Sequence, residues 1–155
     1  MLESQILHYE MKSWFMDSKK NIELFDVPRG IGKTSVLIEV AVEYELGGKK
    51  VGFVTLKESQ IHGIKKSIER KLQMLGIPLF ISHTNQVNGI KFGTSSSKTI
   101  LQAYDVIILD KFYYMDSEFI DEACIISDKV QGLTTSPYQE KMERFKQETI
   151  SFPSF

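Results

Sequence analysis

Pro28-Arg29-Gly30-Ile31-Gly32-Lys33-Thr34 stands between an apolar run, Ile22, Leu24, Phe25 and Val27, and a second one, Val36, Leu37, Ile38, Val40, Ala41 and Val42. The order is strand, glycine-containing loop, helix. Gly30 and Gly32 allow the backbone to approach a ligand without a Cβ in the way. Val27 is pushed into an extended conformation because it precedes proline. Successive backbone N–H groups and the N-terminus of the following helix make a cradle for phosphate oxygens; in it Lys33 reaches the outer phosphates and the Thr34 hydroxyl ligates Mg²⁺. The expected nucleotide-binding residues are thus Pro28, Arg29, Gly30, Ile31, Gly32, Lys33, Thr34 and Ser35. One departure is plain: the full pattern asks for glycine where Val27 stands. The plain alternative is a turn into a helix with Lys33 in solvent.

At 155 residues the chain reads as one domain with a substantial core. Its 42% hydrophobic and 25% charged content is that of an ordinary globular protein, and a formal charge of -1 offers no global basic field for nucleic acid. Arginine occurs only at 29, 70 and 144, which makes the one inside the loop conspicuous. A single cysteine, Cys124, excludes an internal disulfide and fits a reducing cytosol, so a cytoplasmic location is expected. Charged residues interrupt Met1–Phe15, so no signal peptide is read, and no apolar run reaches membrane-spanning length.

Outward from the loop, Leu2, Ile6, Leu7, Met11, Trp14 and Phe15 recur at helical spacing, so residues 2–16 are expected to form a helix whose stripe packs on the core. Strands are expected at Asn21–Val27 and Val51–Leu56, and helices at Lys33–Leu46 and from Ser59 to Leu75, each closed by glycine. Leu79–Ser82 reads as a third strand, Val87-Asn88-Gly89-Ile90 as a tight hairpin and Gly93–Lys98 as a polar loop. The unbroken apolar run Val106–Leu109 marks a strand buried on both faces; a helix near Ser117–Ile125 and a strand near Val130–Thr134 follow. The tail Tyr138–Ile150 is helical by composition. Alternation of strands and helices predicts a mainly parallel sheet covered on both faces, with ligand at the carboxyl ends of its strands.

The buried strand delivers Asp110 at its carboxyl edge, where an acid holds Mg²⁺ opposite the loop threonine; Thr34 and Asp110 are the expected metal residues. A hydrolysing ATPase of this type then places glutamate, which polarises the attacking water. Here Lys111 follows, and a protonated lysine is no base at neutral pH. Three resolutions are open: Glu58, past the second strand, supplies the carboxylate; Asp116, Glu118 or Glu122 reaches back; or the site binds nucleotide and turns it over poorly, whether Lys111 is native or introduced. Leu133-Thr134-Thr135-Ser136-Pro137 brings three hydroxyls to the same edge.

In their order these pieces resemble the ATPase domain of viral DNA-packaging motors, the large terminase subunits and smaller encapsidation ATPases of tailed phages. The loop resembles theirs in carrying an arginine four residues before the lysine. Asn88-Gly89-Ile90-Lys91-Phe92-Gly93-Thr94-Ser95 resembles their hairpin, Val106 to Phe112 their Walker B strand, and Thr134-Thr135-Ser136-Pro137 their coupling motif. The resemblance implies an α/β P-loop NTPase fold of the ASCE, RecA-like kind, a mainly parallel central sheet flanked by helices with a small β-hairpin insertion. It implies ATP and Mg²⁺ as cofactors and a catalytic set of Arg29, Lys33 and Asp110, with Lys111 in place of the family glutamate. Glu58 stays one of the open sources of a catalytic carboxylate, at the place where RecA-like ATPases can carry one; by the resemblance Thr135 is the residue that couples nucleotide state to the grip on DNA. It implies residues 1–140 as the ATPase domain and 141–155 as a helix or tail leading to a missing nuclease or translocation domain. The implied partners are double-stranded DNA, held through a ring of like subunits, and a viral portal or procapsid, in host cytoplasm and with no membrane; the isolated domain is expected as a monomer or, when active, a homo-oligomer.

Two other readings stay open. Val51–Ser59 suits a RecA-like helicase, and Lys111 suits a nucleotide-binding regulatory or assembly module without turnover. A small-molecule kinase lacks the arginines such enzymes close over phosphate. Gln5 and Tyr9 are the candidate adenine contacts.

Overall fold

The computed structural model describes residues 3–81, 85–97, 100–102 and 104–142. Helix α1 (Glu3–Asp17) precedes strand β1 (Ile22–Asp26), the glycine-containing loop and α2 (Lys33–Leu46); β2 (Val51–Thr55) leads into α3 (Glu58–Met74). A hairpin of β3 (Gln86–Val87) and β4 (Ile90–Thr94) follows, then β5 (Val106–Asp110), a short 3-10 turn over Phe112–Tyr114, α4 (Ser117–Ile126) and β6 (Lys129–Thr134). These strands form one sheet in the order β1-β6-β5-β2-β4-β3, parallel throughout except for β3 against β4.

The sheet is covered on both faces, which is why β2 and β5 are buried at every position. On one face α2 buries Val36, Leu37, Ile38, Val40, Ala41 and Val42, nearly its whole circumference, while α3 contributes Ile61, Ile64, Ile68 and Leu72. On the other, Met115, Phe119 and Ala123 pack with Tyr104, Ile107 and Val130. Gly48 and Gly76, at φ 77° and 76°, turn the chain after α2 and α3 in the left-handed region that glycine enters without strain. A buried polar link fastens α1 to this sheet: the Gln131 amide donates to the Phe15 carbonyl at 2.8 Å and to Glu23 at 3.1 Å, and accepts from the Tyr44 hydroxyl at 2.9 Å. Burial first, then the charge of Glu23, pushes the Tyr44 hydroxyl up to about 12, and the Gln131 bond opposes this.

Several expectations change. The α1 stripe is only partly core: Phe15 is fully buried, whereas Ile6, Leu7 and Trp14 are exposed, Trp14 stacking on Phe25 at 4.4 Å. Leu79–Ile81 is no strand, and Ser82 lies outside the described residues. Asn88 takes up the hydrogen bonds of that segment, its side chain accepting from Phe80 N and donating to the Pro78 carbonyl. Gly93 and Thr94 belong to β4 and pair with β2, because the parallel ladder outruns the polar sequence; Lys98 lies outside the described residues. Helix is seen over residues 137–142 of the tail, with Pro137 at its first position, where a missing N–H costs nothing; residues 143–155 lie outside the described part.

Candidate phosphate-binding site

β1 and β5 end on the same edge of the sheet with β6 between them, and this order sets the loop beside Asp110. Gly30 and Gly32 stand at φ 81° and 73°, the left-handed conformation in which a side chain is strained. From Gly32 the chain enters α2, and Val36 N donates to the Gly32 carbonyl at 2.9 Å. Lys33 and Thr34 therefore occupy the first turn of α2, where backbone N–H groups are unpaired within the helix and the dipole favours an anion.

The Thr34 hydroxyl donates to Asp110 Oδ2 at 2.9 Å. Asp110 is 3% exposed, and its second oxygen, Oδ1, is buried without a hydrogen-bond partner among the described residues. Burial pushes its carboxyl above the ordinary range; the Thr34 hydrogen bond and then the ammonium charges of Lys111 and Lys33 oppose that shift. A buried carboxylate oxygen left over beside a threonine hydroxyl is the oxygen donor set a hard divalent cation takes, so these residues fit Mg²⁺.

Arg29, Gly30, Lys33, Lys111, Tyr114, Thr135 and Glu140 line a cavity of 360 Å³, in which Lys33 and Lys111 are the chain neighbours of Thr34 and Asp110. Lys111 sits in the left-handed region at φ 63°, while its N–H continues the β5–β6 ladder by donating to the Leu133 carbonyl at 2.8 Å. Arg29 is paired with Glu140 at 2.6 Å. The segment after β6 is bonded to the base of the loop: Thr135 Oγ1 donates to the Val27 carbonyl at 2.7 Å, Ser136 N donates to Asp26 Oδ1 at 2.9 Å, and Ser136 Oγ also bonds the Asp26 carboxylate. The start of helix 137–142 is thereby tied to the residues that enter the loop.

A second cavity, of 390 Å³, lies on the other side of the loop and is lined by Gln5, His8, Gly30, Ile31, Gly32 and Ser35. His8 is held there through Nε2 by Glu39. Burial of the Glu39 carboxyl raises it, but the His8 hydrogen bond and the charges of His8, Lys71 and Lys12 outweigh this and leave it below the ordinary range.

The expected site residues Arg29, Gly30, Lys33, Thr34, Asp110, Lys111 and Thr135 are thus assembled at one place, with Gln5, Ile31 and Ser35 on the far side of the loop. Pro28 is exposed ahead of the loop. None of the four candidate carboxylates, Glu58, Asp116, Glu118 and Glu122, is among the residues lining the cavity beside Lys33 and Lys111. Glu58 is exposed at the start of α3, on the exit of β2. Asp116 caps α4 by accepting from Glu118 N at 3.0 Å, and both line a separate cavity with Ser95 and Ser96; Glu122 lies further along the same helix. Tyr9 is exposed and, although it follows His8, is not among the residues lining either loop cavity. Sequence reasoning missed Glu140 and His8. The cap-and-proline start Ser136-Pro137 signals a helix there, but nothing in the sequence aims Glu140 at Arg29.

Among the described residues no helix is long and apolar enough to cross a membrane. No protein-family model matches the sequence, and no curated protein does either. Among solved structures the chain is similar to the large terminase of a thermophilic bacteriophage, with a TM-score of 0.64 and 13% identity over 92% of this chain. The same terminase in complex with ADP gives 0.62 and 14%. The chain spans 43% of the length of those terminase chains. The C-terminal domain of a possible DNA helicase from a Lactobacillus gives 0.50 and 10% identity, over 86% of this chain and 88% of that one. The chain has the α/β fold of P-loop NTPases, shared over nearly its whole length with a phage large terminase.

Proposed function

We propose that this chain is the nucleotide-binding motor domain of a DNA-packaging, terminase-like ATPase, built to hold ATP at the loop and to turn it over slowly. The observation that carries the reading is the Thr34–Asp110 hydrogen bond at 2.9 Å, whose chain neighbours Lys33 and Lys111 line a cavity with Arg29. The loop amides and the first turn of α2 receive the phosphates, Lys33 and Arg29 neutralise them, and Thr34 with Asp110 would hold Mg²⁺ whenever the ion binds. Bound Mg²⁺ would offset phosphate charge. Lys111 removes the carboxylate that would polarise water, so the chain's own groups favour binding over hydrolysis. Thr135, tied to the Val27 carbonyl, transmits the state of the loop to helix 137–142. Duplex DNA, a ring of like subunits, a portal and a further nuclease or translocation domain are the partners this reading assigns, and residues 1–140 are its ATPase unit. Lys111 also favours a second reading, a nucleotide-binding assembly module without turnover.

ATP binding and steady-state hydrolysis of the chain, Lys111→Glu and Lys33→Ala separate these. Binding lost in Lys33→Ala together with turnover created by Lys111→Glu supports the motor reading. Binding without turnover in either form supports the assembly module. A wild-type chain that fails to bind ATP, indistinguishable from Lys33→Ala, refutes both.

A further inference from the structure

Lys111 occupies a position in the phosphate cavity where its charge faces two ways. It lines the cavity with Arg29, Lys33 and Thr135, and it directly follows Asp110, the residue hydrogen-bonded to Thr34. Its backbone is pinned there, because the N–H donates to the Leu133 carbonyl and the residue holds φ 63°, where a lysine is strained. The Lys111 and Lys33 ammonium groups both act on the Asp110 carboxyl. Arg29, Lys33 and Lys111 thus stand against two carboxylates, Glu140 in the cavity lining and Asp110 next to Lys111 in the chain, which leaves this set of groups net positive. A glutamate at 111 would make the same set net negative, and a polyphosphate could then enter only with a compensating metal.

We propose that the Lys111 ammonium supplies, between Asp110 and the phosphate cavity, the positive charge that a divalent cation otherwise supplies, so that this chain holds a nucleoside triphosphate without metal. The proposal rests on the nucleotide-site reading and deepens it: Lys111 and Mg²⁺ are alternatives, each weakening the need for the other. The ammonium beside Asp110 is opposite in charge to the carboxylate and like in charge to Mg²⁺, so it lowers the affinity of that carboxylate for the ion. Lysine suits the place as a compact point charge on a flexible stem.

The test is equilibrium binding of ATP and of inorganic tripolyphosphate, in Mg²⁺ and in EDTA, to the full chain, Lys111→Gly, Lys111→Glu and Lys33→Ala. Glycine relieves the positive φ while deleting the charge, so its effect is not one of misfolding, and thermal unfolding of each variant checks this. The expected result is wild-type ATP affinity changing by no more than about threefold on chelation, a loss of about tenfold or more in EDTA for Lys111→Gly, and binding by Lys111→Glu only with Mg²⁺. Tripolyphosphate should follow the same pattern, since the charge acts on phosphate and not on the base. Wild-type binding that collapses on chelation, or Lys111→Gly binding that is unchanged in EDTA, overturns this inference and leaves the nucleotide site standing. No binding in either condition, with Lys33→Ala indistinguishable from wild type, overturns the nucleotide site and this inference with it.

Discussion

Glu140→Gln should make the chain bind ATP more tightly, against the usual effect of deleting a charged contact in a binding cavity. Glu140 pairs with Arg29 at 2.6 Å, but the side chains are 27% and 63% exposed, so the pair contributes only about 0.2–1 kcal/mol. Any phosphate that recruits Arg29 must first displace this carboxylate. The carboxylate also repels the incoming anion directly: at about 6 Å and an effective dielectric of about 60, the repulsion is about 1 kcal/mol per unit charge. Glutamine keeps the shape and a hydrogen-bond acceptor for Arg29 while removing both effects. Together they amount to about 1–2 kcal/mol, or roughly 5- to 30-fold in affinity. Titration with ATP at low and high salt measures it, and the gain should shrink as salt screens the charges. An affinity equal to or below wild type at low salt would show that Glu140 does not compete with phosphate for Arg29, and the exchange would have to be abandoned.

Other consequences concern stability as much as binding. The folded Asp110 carboxyl keeps its proton to higher pH than the ordinary 3.8, so wild-type stability declines as pH rises through that window and the loss persists at neutrality. Asp110→Asn lacks this titration and should gain on wild type in thermal unfolding as pH rises above 3.8, while any Mg²⁺ enhancement of ATP binding disappears; parallel pH profiles for the two proteins would contradict it. At Gly132 an added Cβ would stand 2.7 Å from the Leu109 carbonyl oxygen and 3.0 Å from Leu24 Cδ2, so Gly132→Ala should cost about 2–3 kcal/mol in denaturant unfolding. Asn88 combines φ 51° with hydrogen bonds to Phe80 N at 2.7 Å and to the Pro78 carbonyl at 3.1 Å. Asn88→Gly should therefore cost about 1 kcal/mol and Asn88→Ala about 2 kcal/mol, the difference being the strain of a positive φ. Equal costs for the two would mean the turn conformation carries no strain.

The periodic parts of the chain were legible because local chemistry specifies them. Lys33–Leu46 was readable to the residue, since the loop glycine opens it and Gly47-Gly48 closes it. The unbroken apolar run of β5 announced a strand covered on both sides, and Asn88-Gly89 announced its hairpin. Leu79–Ile81 misled because a short apolar run near a proline reads as a strand, whereas its hydrogen bonds are taken by the side chain of Asn88. The α1 stripe misled because helical spacing reports a face, while the area available to bury it depends on the neighbours; within that stripe only Phe15 reaches full burial among the described residues.

The sequence by itself determined that a glycine-containing loop stands on a β-loop-α unit, that an acid ends a buried strand, and that lysine follows it where a base was expected. Each of these is a local pattern, set by glycine freedom, hydrophobic run length and residue order. Only the tertiary structure decided that β6 lies between β1 and β5, bringing Thr34 to 2.9 Å from Asp110 and leaving Glu58, Asp116 and Glu118 outside the cavity. It alone also set Glu140 against Arg29 and left Asp110 Oδ1 without a partner among the described residues. Strand order and the return of a distant helix depend on how faces are buried across the whole sheet, and no short window of sequence contains that information.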